Sequence, residues 1–469
     1  MKNSEHEQHL NEPIEIKFQQ GTLAVYCYAN KELPIVLPWL RWDSRSKCHR
    51  CNAYRYRELI RYLYKTNIRY TDFTPKYNTL ELIIHTDLTP YEFQEEALNT
   101  WIPSKRGITV LPTGAGKSFF AAMVIKEVQR STLVLAPTID LILQWQKNLE
   151  EWFKCPIGLL GGGSNDIQDI TVSTYDSARN FAESIGNRFC LIIFDECHHL
   201  PSPAYSEMAH SYIAPYRLGL TATPSIEPDR QVILKDLVGS ILYSKQIKQL
   251  SGDFLSPYKT KTIEVNLTDG EREEYDYHRN IYLTYRDKVP NLFGRRNSWE
   301  KFVMYSYRSA EGRQAIRSFN TQKQISLSAE NKMKELAKIL ISHRDSRILI
   351  FTNDNKTAYY ISSLFLLPLI THETKAKERK QILENFRNGK WPFLVNSRVL
   401  NEGVDVPEAN VAVVISGTST VREHVQRLGR ILRKQENKTA ILYEIVTIDT
   451  GEVFTSRRRR THSAYGYSS

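Results

Sequence analysis

Residues Leu111 to Ser118 read LPTGAGKS, after an apolar run from Ile108 and ahead of a helical pattern from Phe119 to Gln129. Glycines at a strand-to-helix turn let successive backbone N–H groups face one point and cradle phosphates. Lys117 can reach the β- and γ-oxygens, and the Ser118 hydroxyl can ligate Mg2+. Thr113, Gly114, Ala115, Gly116, Lys117 and Ser118 are therefore the nucleotide-holding candidates, with Leu111 standing where the general pattern has glycine. Phe189 to Glu196 (FCLIIFDE) brings two carboxylates to the end of an apolar strand. Asp195 can hold Mg2+ while Glu196 orients and deprotonates an attacking water. In Gln426 to Arg433 (QRLGRILR), Arg430 and Arg433 lie three apart on one helix face and can bring guanidinium charge to a γ-phosphate. Taken singly, these are also a glycine turn, a solvated strand end and a basic amphipathic helix. Together they point to hydrolysis of ATP with Mg2+.

Such groups need rigid strand ends to hold them. The runs GITVLP, TLVLAP, DITVST, CLIIFD and YRLGLTAT alternate with helical patterns, the signature of a parallel sheet, and RILIFTN, PFLVNS, VAVVIS and AILYEIV repeat it later. The expected organisation is a small α+β unit over 1–85, a parallel-sheet lobe over 86–244, and a helical connecting segment over 245–330. A second parallel-sheet lobe follows over 331–450, then a basic tail over 451–469 that the run Arg457 to Arg460 marks as mobile. In the connecting segment Tyr275, Tyr282, Tyr285, Phe302 and Tyr305 supply the apolar positions.

The 469 residues are 41% hydrophobic, with Gly 21 and Pro 19, which excludes a collagenous or wholly disordered chain. Met1 to Pro13 has no apolar leader core and no run approaches a membrane span, so a non-secreted, non-membrane protein is expected. Lys+Arg 63 against Asp+Glu 52 gives a charge of +11, which favours a polyanionic partner, nucleic acid first. Six scattered cysteines suit a reducing compartment. Cys48 and Cys51 have a zinc-like spacing but lack a second Cys or His pair within finger distance.

The order of Gln94, LPTGAGKS, LAPTIDLILQW (135–145), TVSTYDS (171–177), DECHH (195–199), TATP (221–224), ILIFTN (348–353), EGVDVP (402–407) and QRLGRILR resembles that of superfamily 2 helicases. DSRSKCHRCNAYRYREL (43–59), DECHHLP, THETKAKERKQILENFRNG (371–389) and TGEVFTSRRRR (450–460) narrow the resemblance to XPB helicases of the archaeal type. It implies two RecA-like lobes, an N-terminal damage-recognition-like domain and a helical thumb over 271–325. By the same resemblance Gln94 would contact adenine, while Gly403, Asp405 and Gln426 would meet the nucleotide and lobe interface. Thr221 and Thr223 would couple nucleotide state to DNA, with His198 and His199 as a switch that senses nucleotide and touches the TATP loop. The implied activity is ATP-dependent 3'-5' unwinding or duplex translocation in repair such as nucleotide excision repair. Duplex, forked or damaged DNA would be the substrate, with a nuclease partner, a monomeric free state and a cytoplasmic or nucleoid location.

Residues 41–65 interleave Arg41, Arg45, Lys47, Arg50, Arg55, Arg57, Arg61 and Lys65 with Trp42, Tyr54, Tyr56, Tyr62 and Tyr64. Phosphate contact with base stacking, in which Arg55 and Arg57 would meet DNA, and a solvated basic helix with inward tyrosines both fit this pattern. The chain departs from the family at Tyr91, where arginine is usual, and at Ile226, Glu227 and Pro228, where an Arg-Glu-Asp trio linked to strand separation is expected. A restriction or defence motor, an RNA helicase and a nucleotide-gated scaffold remain the alternatives.

Overall fold

In the computed structural model, residues 14–27, 37–224, 227–250, 258–289, 298–397, 409–416 and 440–460 are described. The chain divides at Lys245 into two compact units.

The first unit opens with strands β1 (Ile14–Gln19), β2 (Thr22–Tyr26), β3 (Arg41–Asp43) and β4 (Cys48–Asn52), helix α1 (Tyr56–Lys65) and strand β5 (Tyr70–Asp72). The sheet order is β3-β4-β2-β1-β5. Helix α1 buries Tyr56, Leu59 and Leu63, one face at helical spacing, against Ile14, Ile16, Leu23 and Val25. Residues 74–85, expected to belong to this domain, instead run along the following lobe. Lys76 N–H donates to Asn187 O at 2.9 Å, Leu80 N–H to Gln129 O at 2.9 Å and His85 N–H to Trp152 O at 2.7 Å. An extended segment must place its backbone groups somewhere, and these pair with the lobe.

That lobe carries α2 (Glu92–Trp101), β6 (Arg106–Val110), α3 (Lys117–Val128), β7 (Thr132–Ala136), α4 (Ile139–Phe153), β8 (Gly158–Gly161), β9 (Ser164–Asn165), β10 (Ile170–Thr174), α5 (Tyr175–Ile185), β11 (Leu191–Asp195), α6 (Pro203–His210), β12 (Tyr216–Thr221), α7 (Pro228–Leu237) and β13 (Ile241–Ser244). All five expected strands form, in the order β13-β6-β12-β11-β7-β10-β8-β9. Pairing is parallel except between β8 and β9. Strand β12 lies between β6 and β11, with Thr221 beside Val110 and Leu220 beside Asp195. The strand ends leading to the phosphate loop, the TATP loop and the paired acids are therefore neighbours, on the edge where ligands sit in such sheets. Helix α3 is apolar nearly all round and buried, which fixes the loop before it.

In the second unit, β14 (Tyr258–Val265) precedes α8 (Asp269–Asp287), α9 (Ser298–Ser306), α10 (Ala310–Leu327) and α11 (Glu330–Ser342). There follow β15 (Ile348–Thr352), α12 (Asn355–Phe365), β16 (Leu369–Ile370), α13 (Ala376–Arg387), β17 (Phe393–Ser397), β18 (Val411–Val414), β19 (Ala440–Thr447) and α14 (Glu452–Arg460). The sheet order is β14-β19-β18-β15-β17-β16, all parallel.

Two expected boundaries are corrected here. Strand β14 pairs with β19 along eight residues, so the second lobe begins before the helical segment, which is an insertion into it. The C-terminal tail is, to Arg460, a docked helix. Glu452 accepts the Lys332 ammonium at 2.7 Å, and Ser456 Oγ donates to Glu444 at 3.0 Å. Lys332 and Glu452 are both buried, and Lys332 also donates to Ile415 O at 2.7 Å. Within the insertion Tyr275, Tyr285 and Phe302 are buried as expected, whereas Tyr305 is 47% exposed. Two of its arginines bond within the unit: Arg272 donates to Asp449 O and Ile448 O, and Arg279 to the Tyr275 hydroxyl, whereas Arg286 pairs with Asp287 at the surface.

Candidate active site

The loop after β6 is built for close approach. Gly114 and Gly116 have φ of +88° and +74°, in the left-handed region that favours glycine, and a Cβ on Gly116 would meet Gln94 Nε2 at 2.6 Å. Lys117 and Ser118 open α3. Gln94 is buried on the first turn of α2. Its Oε1 accepts the Tyr91 N–H at 3.0 Å, and its Nε2 donates to Ala115 O and Gly116 O, each at 3.2 Å. One glutamine thus ties the start of α2 to the loop. The Thr113 hydroxyl is buried with no hydrogen-bond partner among the described residues.

At the end of β11, Asp195 is 6% exposed. Its Oδ2 accepts the Trp145 indole N–H at 2.8 Å, its Oδ1 the Glu196 N–H at 3.0 Å, and its backbone carbonyl the Tyr175 hydroxyl at 2.9 Å. Glu196 has φ +49°, a left-handed conformation rarely adopted by a non-glycine residue, which turns its carboxylate toward Lys117. Lys117 Nζ lies 3.2 Å from Glu196 Oε1, and His198 Nδ1 lies 3.3 Å from Glu196 Oε2.

His198 Nδ1 is also 3.1 Å from Thr221 Oγ1, whose single proton goes to Thr223 O at 3.0 Å. An Nδ1–H that donates to Thr221 Oγ1 is consistent with this arrangement, with Glu196 Oε2 close by on the same side of the ring. The Thr223 N–H returns to Thr221 Oγ1 at 3.2 Å. Burial, then the neighbouring Glu196 charge, push the Asp195 carboxyl above its ordinary range. For Glu196 burial acts upward, but Lys117 and His198 together outweigh it and hold the carboxyl below its ordinary value.

These residues fit a magnesium nucleotide. A Cβ on Gly116 would run into Gln94 Nε2, the Thr113 hydroxyl is buried without a partner among the described residues, and a lysine and two carboxylates converge on the same strand ends.

The structure brings together Gln94, Thr113, Gly114, Ala115, Gly116, Lys117, Ser118, Asp195, Glu196, Thr221 and Thr223. Gly403, Asp405, Gln426, Arg430, Arg433 and Ile226 lie outside the described residues. His198 lies between Glu196 and the TATP loop, and His199 packs on it with ring centroids 4.3 Å apart. The turn at Glu196 carries His198, the third residue after Asp195, back over the sheet edge.

Arg55 and Arg57 are engaged within the protein rather than presented outward. Arg55 contacts Glu58 at 2.8 Å and Asp236 at 3.2 Å, and Arg57 donates to Ser104 O at 2.7 Å. With Tyr54, whose hydroxyl donates to Asp236 at 2.7 Å, they fasten the N-terminal domain to α7 and the start of β6. Cys48 and Cys51 are buried on β4 as free thiols, with Cys51 in the domain core. Trp145 and Tyr175 carry no chemical signature of their own in the sequence, although both stand inside stretches on which the resemblance rests.

Three family profiles match in chain order: the Xeroderma pigmentosum group B helicase damage recognition domain over residues 16–73, the Type III restriction enzyme res subunit over 87–226 and the helicase conserved C-terminal domain over 331–435. The chain is 39% identical to the DNA 3'-5' translocase XPB2 of Sulfurisphaera tokodaii over 431 residues, covering 90% of this chain and 96% of that one. It is 28% identical to the DNA 3'-5' helicase XPB of Mycobacterium tuberculosis over 80% of this chain and 64% of that one. With the XPB/SSL2 subunit of general transcription and DNA repair factor IIH of Saccharomyces cerevisiae the identity is 26%, over 88% and 47%. The fold is similar to that of the Pyrococcus furiosus Hef helicase domain, with a TM-score of 0.52 and 20% identity, over 81% of this chain and all of that one. With 39% identity spanning nearly the full length of both chains, the protein belongs to the XPB family of DNA helicases and translocases.

Proposed function

We propose that the chain is an ATP-dependent DNA helicase or duplex translocase that moves 3' to 5' in DNA repair. The observation that carries this is the meeting of Lys117, Asp195, Glu196 and the His198–Thr221 bridge at one sheet edge, in a chain whose relative at 39% identity is named a DNA 3'-5' translocase. Mg2+, held by Ser118 and Asp195, would neutralise charge on the β- and γ-oxygens of ATP.

The protein's own groups do the rest. Backbone N–H groups of 113–118 hold the phosphates, Lys117 leaves Glu196 for them, and Glu196, relieved of the ammonium, accepts a proton from the attacking water. Because His198 touches both Glu196 and Thr221, a change at the glutamate reaches the loop expected to face DNA. Arg430 and Arg433 as transition-state donors, and Gly403, Asp405 and Gln426 as nucleotide contacts, rest on the family resemblance. The DNA-binding roles of the N-terminal domain and the helical thumb, a nuclease partner, a monomeric free state and a cytoplasmic or nucleoid location belong to the same proposal. Among the described residues no helix is long and apolar enough to cross a membrane.

The test is ATP hydrolysis with single-stranded DNA, duplex, forked DNA and RNA, beside strand displacement. Stimulation by DNA supports the reading, and stimulation by RNA alone refutes it.

A further inference from the structure

We infer that Trp145 is a positioning residue of the hydrolytic site, holding the Asp195 carboxylate in the orientation that receives the metal ion. The inference rests on the reading of Asp195 as a metal ligand.

Trp145 lies in the second turn of α4 and is 2% exposed, packed in the lobe interior. Indole nitrogen is a donor only, so a buried tryptophan of this kind needs one acceptor. Here that acceptor is Asp195 Oδ2 at 2.8 Å, a charge-assisted bond between two buried side chains. The other oxygen is taken by the Glu196 N–H. Each carboxylate oxygen thus has one donor fixed by the fold and keeps lone-pair capacity for a further partner. The Trp145 bond prevents rotation about the Asp195 side chain, which the backbone donor alone does not.

Tyr175 provides the contrast. It is fully buried and also bonds Asp195, but at the main-chain carbonyl. Tyr175 therefore fixes where the strand ends, and Trp145 fixes which way the carboxylate points. Outer partners of metal ligands act in this way, and their loss weakens metal binding about 10–100-fold.

The experiment compares the full chain with Trp145→Phe and Tyr175→Phe. Equilibrium binding of a fluorescent ADP analogue is titrated with Mg2+, without turnover, and ATPase is measured against Mg2+ concentration. For Trp145→Phe the Mg2+ needed for half-maximal effect should rise about 10-fold in both assays. Nucleotide affinity without Mg2+ should stay as in the parent, and turnover at saturating Mg2+ should recover. Tyr175→Phe should leave the Mg2+ midpoint in place. If Trp145→Phe keeps the parent midpoint, or if both variants shift alike, Trp145 has no such role.

If Mg2+ does not strengthen ADP binding even in the parent, the reading of Asp195 fails first. Should Trp145→Phe not fold, indole-15N labelling of the parent, which has seven tryptophans, decides. One indole N–H resonance should move when Mg2+ is added to the ADP complex, and no movement overturns the inference.

Discussion

Lys117 and Glu196 face each other at 3.2 Å, each side chain only 12% exposed. The ammonium suited to a γ-phosphate and the carboxylate suited to a water molecule are each other's partner. ATP must therefore break a partly buried ion pair before the site can act, and breaking it frees the base at the moment the lysine acquires phosphate. Lys117→Ala should abolish DNA-stimulated hydrolysis and weaken nucleotide binding. Glu196→Gln should lose at least about 100-fold in kcat yet still bind ATP, since the cradle and Asp195 are untouched. Turnover at the parent rate in either variant contradicts the assignment.

The histidine pair separates coupling from packing. His198→Ala removes the bridge from Glu196 to Thr221 and should lower strand displacement per ATP hydrolysed. His199→Ala, which removes the ring packed on His198 but not the His198 contacts to Glu196 and Thr221, should disturb that ratio less. Equal effects in a coupled ATPase and displacement assay would assign the coupling elsewhere.

Arg57 tests the joint of the N-terminal domain. Its guanidinium bonds the Ser104 carbonyl, so Arg57→Ala should cost about 1–3 kcal/mol of stability in thermal or denaturant unfolding. The salt dependence of DNA binding should not change. A slope reduced by about one unit would instead make Arg57 a phosphate contact.

The Lys332–Glu452 pair anchors the C-terminal helix to the second lobe. Removing one partner leaves the other charge buried, so Glu452→Ala should destabilise that unit by about 3–5 kcal/mol. Replacing both with Met and Leu should cost less. A silent Glu452→Ala in thermal unfolding would mean that the helix does not need this anchor.

Unwinding should lag behind hydrolysis. Glu227 stands before α7 with Pro228 as its first residue, and Glu227 pairs with Arg230 at 3.1 Å. That pair is half exposed on both sides and weak, so Arg230 is the residue that could supply the lost contact if unwinding proves efficient. Ile226→Arg with Pro228→Asp should raise displacement of forked duplex per ATP. A parent that already unwinds efficiently, with no gain in the variant, contradicts this.

The chemistry was legible because it sits at strand ends, where apolar runs stop at LPTGAGKS and DE. What stayed hidden is long-range. Strand β14 (YKTKTIEV) is mostly polar, with Lys259 to Thr262 in an unbroken run, and is separated by the insertion from β19, which gives it a place. Arg457 to Arg460 suggests a loose tail, yet polar Glu452 and Ser456, which no hydrophobic pattern reveals, dock it. Arg55 and Arg57 look like phosphate contacts until Asp236 and Ser104, distant in sequence, arrive beside them.

Hydrolysis at this site is expected to drive movement on duplex DNA. Displacement of a third strand annealed to blunt duplex, followed with ATP and Mg2+ for the parent and for Glu196→Gln, tests it most directly. The parent should strip the third strand in an ATP-dependent manner, and Glu196→Gln should bind the same substrate without stripping it. Hydrolysis by the parent with no displacement, or equal displacement by Glu196→Gln, would contradict the claim.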